Sequence, residues 1–227
     1  MRSDHSLTVV SGVSLGAFAA ILALEHVLVP ELEPTQHVIS EYATADAGVL
    51  MTAGFLAWAI SLAATAAVAR LVGLPRATSP LLVAAALGMV ITACFATQAA
   101  AGMLPPGVER TTAGRLHDVG SGVTTIAIAG STVMVVIARS LPCAARVFSA
   151  VVLIVALLTA TVLLAVGDPI PGVRQRVLVA AALTVQGVLL VAARRRLRLV
   201  SRPEADVRCR RQRDPPVPPA AVRRRRS

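Results

Sequence analysis

The sequence predicts an all-α integral membrane bundle of six transmembrane helices, with both termini in the cytoplasm. Hydrophobic residues make up 56% of the 227 residues, above the ~45–50% of ordinary globular chains, and the mean hydropathy is +0.73. These residues form six long apolar segments, and the arginines concentrate in alternate connections between them. Together, the three observations predict a multi-pass protein of the cell (plasma) membrane.

Each apolar segment is close to the ~20 residues that a helix needs to cross ~30 Å of hydrocarbon. Helices are expected because lipid offers no water to the backbone amides. The predicted spans are residues 7–29, 47–69, 80–101, 116–138, 147–166 and 177–193. Ser79 is the expected N-cap of the third span, with Pro80 as its first helical residue. In the first span, Gly12 and Gly16 form a GxxxG pattern, which allows a close approach of helices.

The orientation follows from the placement of arginine, because cytoplasmic connections carry an excess of positive charge. The N-terminus, the second and fourth connections and the C-terminal tail hold 18 of the 22 arginines. The first connection holds no arginine, although it contains Glu31, Glu33, Glu41 and Asp46. Both termini are therefore predicted to be cytoplasmic, which agrees with an even number of spans.

The chain divides into a six-span domain, residues 1–195, and a tail, residues 196–227. The region from Arg194 onward contains 13 Arg and five Pro in 34 residues, so the tail is expected to be a disordered cytoplasmic segment rich in Arg and Pro. It is interpreted as a topology anchor, with contact to anionic lipid head groups as the alternative. Nucleic acid is not expected as a partner, since no aromatic residues interleave the arginines.

The residues best suited to chemistry gather at the outer membrane face. His37 and Glu41 lie four residues apart and share a face if a helix begins early; Ser40 is the expected cap of that helix. The remaining candidates open the fourth and sixth spans. The full candidate set is His37, Ser40, Glu41, His117, Asp118, Gln175 and Arg176.

Several chemistries remain open for this set, although none has a supporting motif. Zinc would use His37, His117 and a carboxylate from Glu41 or Asp118, yet no HxxxH or HExxH spacing is present. Serine catalysis would pair Ser40 with His117, without a nucleophile elbow. A haem site is disfavoured, because the histidines lie near the span ends. The three cysteines suggest neither a disulfide framework nor a zinc site. We therefore assign no catalytic residue, metal or cofactor.

Other polar residues are expected at membrane depth. Cys94 and Gln98 fall in the third predicted span and Gln186 in the sixth. A glutamine there is expected to hydrogen-bond to another helix. No charged residue lies in the middle of a predicted span, which argues against proton-coupled transport and voltage sensing.

Three short motifs occur in a fixed order along the chain. They are His37-x-Ile39-Ser40-Glu41-Tyr42, Gly114-x-x-His117-Asp118 and Gly172-Val173-Arg174-Gln175-Arg176. This order resembles the family of prokaryotic multi-span membrane proteins catalogued as domain of unknown function 998, over roughly residues 7–195. The resemblance implies a six-helix membrane fold with the seven candidate residues at its signature positions. It implies no activity.

Two functional hypotheses follow, and we favour the first. In the first, the protein is non-enzymatic, and its outer polar cluster is a structural clasp or binds a lipid head group or small polar ligand. In the second, it is an intramembrane enzyme acting on lipid, in one form a metal-dependent hydrolase, with His37 and His117 as acid–base groups or metal ligands. We expect His37, Glu41, His117 and Arg176 to share one outer pocket, because they lie on one side of the membrane, and Glu41 or Asp118 to pair there with Arg115 or Arg176.

Overall fold

The structure, a computed structural model, describes the backbone of residues 2–213 and the side chains of residues 5–197. Within residues 2–213 the chain forms α-helices and one 3-10 helix, and no strand. In chain order these are α1 (Arg2–Leu28), the 3-10 helix (Ile39–Thr44), α2 (Gly48–Leu71), α3 (Thr78–Cys94), α4 (Thr112–Ile137), α5 (Cys143–Ala165) and α6 (Pro171–Arg213).

Five of these helices are long and apolar enough to cross a membrane. The five segments are His5–Leu28, Gly48–Leu71, Thr112–Ile137, Cys143–Ala165 and Pro171–Leu197. The remaining helix, α3, is apolar and has 17 residues. The predicted all-α membrane-spanning architecture is thus present in its coarse form.

The third predicted span is wrong at both ends. Helix α3 begins at Thr78, without a side-chain cap from Ser79, and it ends at Cys94 rather than at residue 101. The next residue, Phe95, is extended, with φ −121° and ψ 127°, and the Thr97 hydroxyl accepts the backbone N–H of Ala99 at 3.1 Å. This local bond replaces helical pairing. Gln98 therefore lies in the α3–α4 loop and not at membrane depth.

The last helix extends beyond the membrane segment. Its backbone is helical from Pro171 to Arg213, which includes the first part of the segment that we expected to be disordered. The prediction for residues 214–227 lies outside the described residues. Inside the described part, Arg196 Nη1 donates to the carbonyl of Val72 at 2.6 Å, which satisfies a carbonyl at the C-terminal end of α2.

A buried hydrogen-bond network joins α1, α2 and α6. The amide of Gln186 donates to Ser61 Oγ at 2.7 Å and to Thr65 Oγ1 at 2.9 Å, and its oxygen accepts Trp58 Nε1–H at 3.2 Å. Ser11 of α1 lies 2.7 Å from Thr65 Oγ1. The expected role of Gln186 as an interhelical hydrogen-bonding group is confirmed. The three helices are thereby held together at one end of the cavity described below.

Candidate functional site

Glu41 connects two loops that are distant in the sequence. One carboxylate oxygen accepts the backbone N–H groups of Val38 at 3.0 Å and Gly102 at 2.8 Å. The other accepts from His37 Nδ1 at 2.6 Å and from the N–H of Ala101 at 3.0 Å. Glu41 is only 4% exposed. The α3–α4 loop is therefore held against the connection between α1 and α2 by a single buried carboxylate.

The backbone of the α3–α4 loop is shaped to bind this carboxylate. Ala101 and Gly102 both have positive φ, 49° and 75°, so consecutive N–H groups form an anion-binding concavity. A Cβ at Gly102 would lie 2.5 Å from the ring of Pro171. Glycine therefore meets both the conformational and the steric requirement at this position.

Arg176 ties the first turns of α6 to α1 and to the connection after α1. Its Nε donates to His26 Nε2 at 3.1 Å, and its Nη1 donates to the carbonyls of His37 at 2.7 Å and Gly172 at 3.1 Å. Its Nη2 donates to the Tyr42 hydroxyl at 3.2 Å. The guanidinium carbon also lies 5.7 Å from the centre of the Tyr42 ring. We refer to His26, His37, Glu41, Tyr42 and Arg176 as the Glu41–Arg176 cluster.

The hydrogen-bonding roles of the two ring nitrogens of His26 follow from their partners. Its Nδ1 lies 2.5 Å from the carbonyl oxygen of Leu22 and must donate a hydrogen there. Its Nε2 accepts from Arg176, which has only donors. In this arrangement Nδ1 of His26 is the donor and Nε2 is the acceptor for the guanidinium of Arg176.

Tyr42 lies at the centre of this arrangement and is fully buried. Its hydroxyl donates to the carbonyl of Leu32 at 2.7 Å and accepts from Arg176, and its ring lies 5.2 Å from the ring of His26. Burial raises the pKa of the hydroxyl above its ordinary value, and the charge of Arg176 opposes that rise without cancelling it. The neutral phenol, which can both donate and accept, is the form that this site favours.

Gln175 and Ser40 connect the cluster to the bundle interior. The side-chain oxygen of Gln175 accepts the backbone N–H of Ile39, which fixes the start of the 3-10 helix on α6. Ser40 is 5% exposed but does not cap that helix. The N-cap is Val38, and the Glu41 carboxylate binds its N–H instead.

His117 and Asp118 form a second group. His117 is 4% exposed; its Nδ1 lies 3.5 Å from Asp118 Oδ1, and its buried Nε2 has no partner. Asp118 is half exposed and pairs with Arg110. Among the described residues, no hydrogen bond joins this group to His37, Glu41 or Arg176, so a pocket shared with His117 stays a prediction.

The expected ion pairs are not the ones that form. Among the described side chains, Glu41 pairs with His37 and not with an arginine, while Asp118 pairs with Arg110 rather than Arg115 or Arg176. The α3–α4 loop contacts both groups: Ala101 and Gly102 donate to Glu41, and Arg110 pairs with Asp118. There, Gln98 accepts the N–H of Thr111 at 2.8 Å, at the N-cap of α4.

Three residues of this region were not in the candidate set. His26 and Tyr42 are partners of Arg176, and Glu25 is fully buried with no hydrogen-bond partner for either carboxylate oxygen. Tyr42 lies inside the first motif, and its position there could have identified it as a candidate residue. His26 and Glu25 carried only the weaker signal of polar residues at the end of an apolar run.

A cavity of about 130 Å³ lies beneath the 3-10 helix. All six α-helices contribute to its wall, and Ser40 and Gln175 lie at its polar end. Among the described residues, no group of three or more His, Cys, Asp or Glu side chains is placed to hold a metal ion. The arrangement thus consists of an apolar cavity closed at one end by a bonded polar cluster.

Comparison with known proteins places the chain in a family without assigning an activity. No curated protein and no solved structure matches it. A family model described as a protein of unknown function, domain of unknown function 998, matches residues 13–193. The resemblance inferred from the three motifs is confirmed, and the chain belongs to this family.

Proposed function

We propose that the protein is a non-enzymatic, six-span component of the prokaryotic cell membrane with both termini in the cytoplasm. Helix α3 supports a sixth span, because its 17 residues extend about 26 Å at 1.5 Å per residue, near the ~30 Å of a hydrocarbon core. The arginine-rich inner connections support the orientation. The tail is proposed to anchor this topology, with contact to anionic lipid head groups as the alternative.

We further propose that the Glu41–Arg176 cluster is a structural clasp at the outer end of the bundle. The main support is that the hydrogen-bonding groups of Arg176 and Glu41 are bonded to other groups of the protein. Arg176 donates to four groups from α1, α6 and the connection after α1, and Glu41 accepts four hydrogen bonds. Groups bonded in this way hold helices in position and leave ligand binding to the cavity beneath them.

Replacing Arg176 by Lys tests the clasp. Lysine keeps the charge but loses the planar set of donors, so Arg176→Lys should lower the free energy of unfolding by about 2–4 kcal/mol. The measurement is thermal unfolding of the protein in lipid vesicles, followed by the fluorescence of Trp58, the only tryptophan. Arg115→Lys is the matched control, since Arg115 is exposed. Equal melting of Arg176→Lys and the wild type would contradict the clasp.

One observation favours the second candidate, an intramembrane enzyme that acts on lipid. The Nε2 atom of His117 is buried and has no partner, as an unengaged acid–base group would be. Lipid hydrolysis by the reconstituted protein that is lost in His117→Ala would establish this alternative. A metal-dependent form would additionally require zinc in the purified wild type and its loss in that variant.

A further inference from the structure

We propose that the cavity beneath the 3-10 helix binds a single-chain amphiphile with a small, neutral, hydroxyl-bearing head group, such as a fatty alcohol or monoacylglycerol. The inference names the ligand class for the proposed function and rests on it, since the Glu41–Arg176 cluster holds the 3-10 helix at the polar end. The chain would lie among the helices, with its hydroxyl beside Ser40 and Gln175.

The cavity wall suits a hydrocarbon chain. Phe18, Phe55, Trp58 and Met89 contribute large apolar surfaces. Along α6 the lining extends from Gln175 toward Val185, about 15 Å at the helical rise. An apolar cavity of ~150 Å³ in another protein stays dry and takes up benzene, so about 130 Å³ accommodates part of one narrow chain.

The polar end offers two unused hydrogen-bonding atoms. Because the oxygen of Gln175 accepts the N–H of Ile39, its Nε2 amide is directed elsewhere, and it makes no hydrogen bond among the described residues. Ser40 Oγ, on a residue that is 95% buried, likewise makes none. An amide donor beside a hydroxyl that both donates and accepts is suited to an alcohol.

The other hydroxyl groups of the wall are already engaged. Thr124 donates to the carbonyls of Ala85 and Gly120, and Thr132 donates to that of Ile128. No charged side chain lines the cavity within the described residues. A buried carboxylate or phosphate would have no counter-charge there, so a neutral head group is expected, and the unbonded atoms of Ser40 and Gln175 favour their end of the cavity.

The cavity reaches toward the protein surface between α4 and α5. Thr125 of α4 and Leu157 of α5 line it and are also exposed on the molecular surface. These two side chains therefore lie between the cavity and the surrounding lipid. A chain from the bilayer reaches the interior by displacing these side chains, without opening the cluster above.

Trp58 reports on occupancy, because it lines the cavity, is the only tryptophan and is 4% exposed. The protein in phosphatidylcholine vesicles is titrated with a medium-chain alcohol that carries bromine on its terminal carbon, since bromine quenches tryptophan on contact. We expect saturable quenching. The same chain ending in a carboxylate should quench more weakly, and phosphatidylcholine brominated on its acyl chains should not quench.

Three variants locate the site. Ser40→Ala removes a side chain that makes no bond in the fold, and the affinity for the alcohol should fall about three- to tenfold, the worth of one hydrogen bond. Ala182→Phe fills the cavity and should abolish quenching. Ala180→Phe, on the exposed side of the same helix, is the matched control and should leave quenching intact.

The outcomes separate the ligand from the clasp. Absent quenching in a wild type that melts normally, or equal quenching in Ala182→Phe, would overturn the amphiphile site and leave the Arg176 result standing. Equal affinity for the carboxylate, with no effect of Ser40→Ala, would overturn the neutral head group. Quenching by the brominated phosphatidylcholine would show that bulk lipid reaches Trp58, which also overturns the proposal.

Discussion

The hydroxyl of Tyr42 makes the Glu41–Arg176 cluster sensitive to loss of a proton in alkali. Its hydroxyl accepts from Arg176 and donates to the carbonyl of Leu32. Loss of the phenolic hydrogen would leave that carbonyl without its donor and place a negative charge in a fully buried position. The free energy of the cluster therefore depends on keeping the phenol neutral.

The predicted consequence is a stability loss in alkali. Because the folded pKa of Tyr42 is raised above the unfolded value of about 10, its contribution is fully present below that pH and is lost as the pH rises through the folded pKa. Tyr42 is the only tyrosine, so absorbance of tyrosinate in the folded protein titrates it directly. The midpoint should lie above 10.

Tyr42→Phe is the control for that titration. It should remove the tyrosinate signal and the associated alkaline loss of stability. At neutral pH it should cost about 1–2 kcal/mol for the two lost hydrogen bonds. A midpoint at or below 10 in the folded wild type would show that burial does not govern this hydroxyl.

Residue types and spacing predicted part of this cluster. His37 and Glu41 are bonded at 2.6 Å, although they do not share a helical face as the i, i+4 spacing suggested, because the 3-10 helix begins only at Ile39. Besides the nearby N–H of Val38, the other partners of Glu41 are backbone N–H groups some 60 residues later, and every residue except proline has such a group. Only the folded loop, with two consecutive positive φ angles, makes Ala101 and Gly102 into ligands for a carboxylate.

At the scale of elements, α3 and α4 approach each other closely where a glycine of one helix faces a glycine of the other. A Cβ on Gly88 would lie 2.6 Å from the carbonyl oxygen of Gly120, and a Cβ on Gly120 would lie 2.7 Å from that of Gly88. The GxxxG pattern of α1 makes no such contact, since nothing lies within 4 Å of a Cβ on Gly12 or Gly16. Small residues permit a close approach, and only the facing helix decides whether it occurs.

Gly120→Ala should therefore destabilise the protein. The added methyl group meets backbone that cannot move without separating α3 from α4, at a cost of about 1–3 kcal/mol. Gly122→Ala, two residues away with open space around its Cβ, is the matched control and should be neutral or slightly stabilising. Thermal unfolding in vesicles measures both; equal melting temperatures would show that the helices adjust freely.

Apolar periodicity and length predicted where the helices lie better than where they end. The second, fourth and fifth predicted spans overlap α2, α4 and α5 almost completely. The predicted C-terminal end of the third span was wrong, because residues 95–101 are apolar enough for a span but form a loop. Their backbone leaves the helix so that Ala101 and Gly102 reach Glu41, a long-range requirement that outweighs local helix preference.

For the whole molecule, polar contacts hold α6 to neighbouring helices near each end of the bundle. At one end, Arg176 joins α6 to α1 and to the connection after α1. At the other end, Arg196 of the same helix donates to the carbonyl of Val72, the C-cap of α2. These two arginines lie 20 positions apart on α6, about 30 Å at the helical rise, which is the thickness of a hydrocarbon core. The two contacts therefore fix α6 at both ends of a segment that is long and apolar enough to cross a membrane.

This spacing makes the orientation testable with two fusions. A reporter that is active only in the cytoplasm should be active after Arg76, in the short α2–α3 connection, and inactive after Gly107, in the α3–α4 loop. The reason is that the arginines next to the first site resist translocation, whereas the second site shares its loop with the ligands of Glu41. Both fusions must be inserted in the full-length chain, so that the later arginines also act on orientation.

The opposite pattern would invert the bundle and place the Glu41–Arg176 cluster in the cytoplasm. Activity at both sites would mean that the 17-residue α3 does not cross, leaving the five long helices and termini on opposite sides. The second result would also leave the apolar faces of α3 in water, although Leu82, Ala85 and Met89 pack into the bundle core. That energetic conflict is the physical reason to expect a sixth crossing despite the short length of the helix.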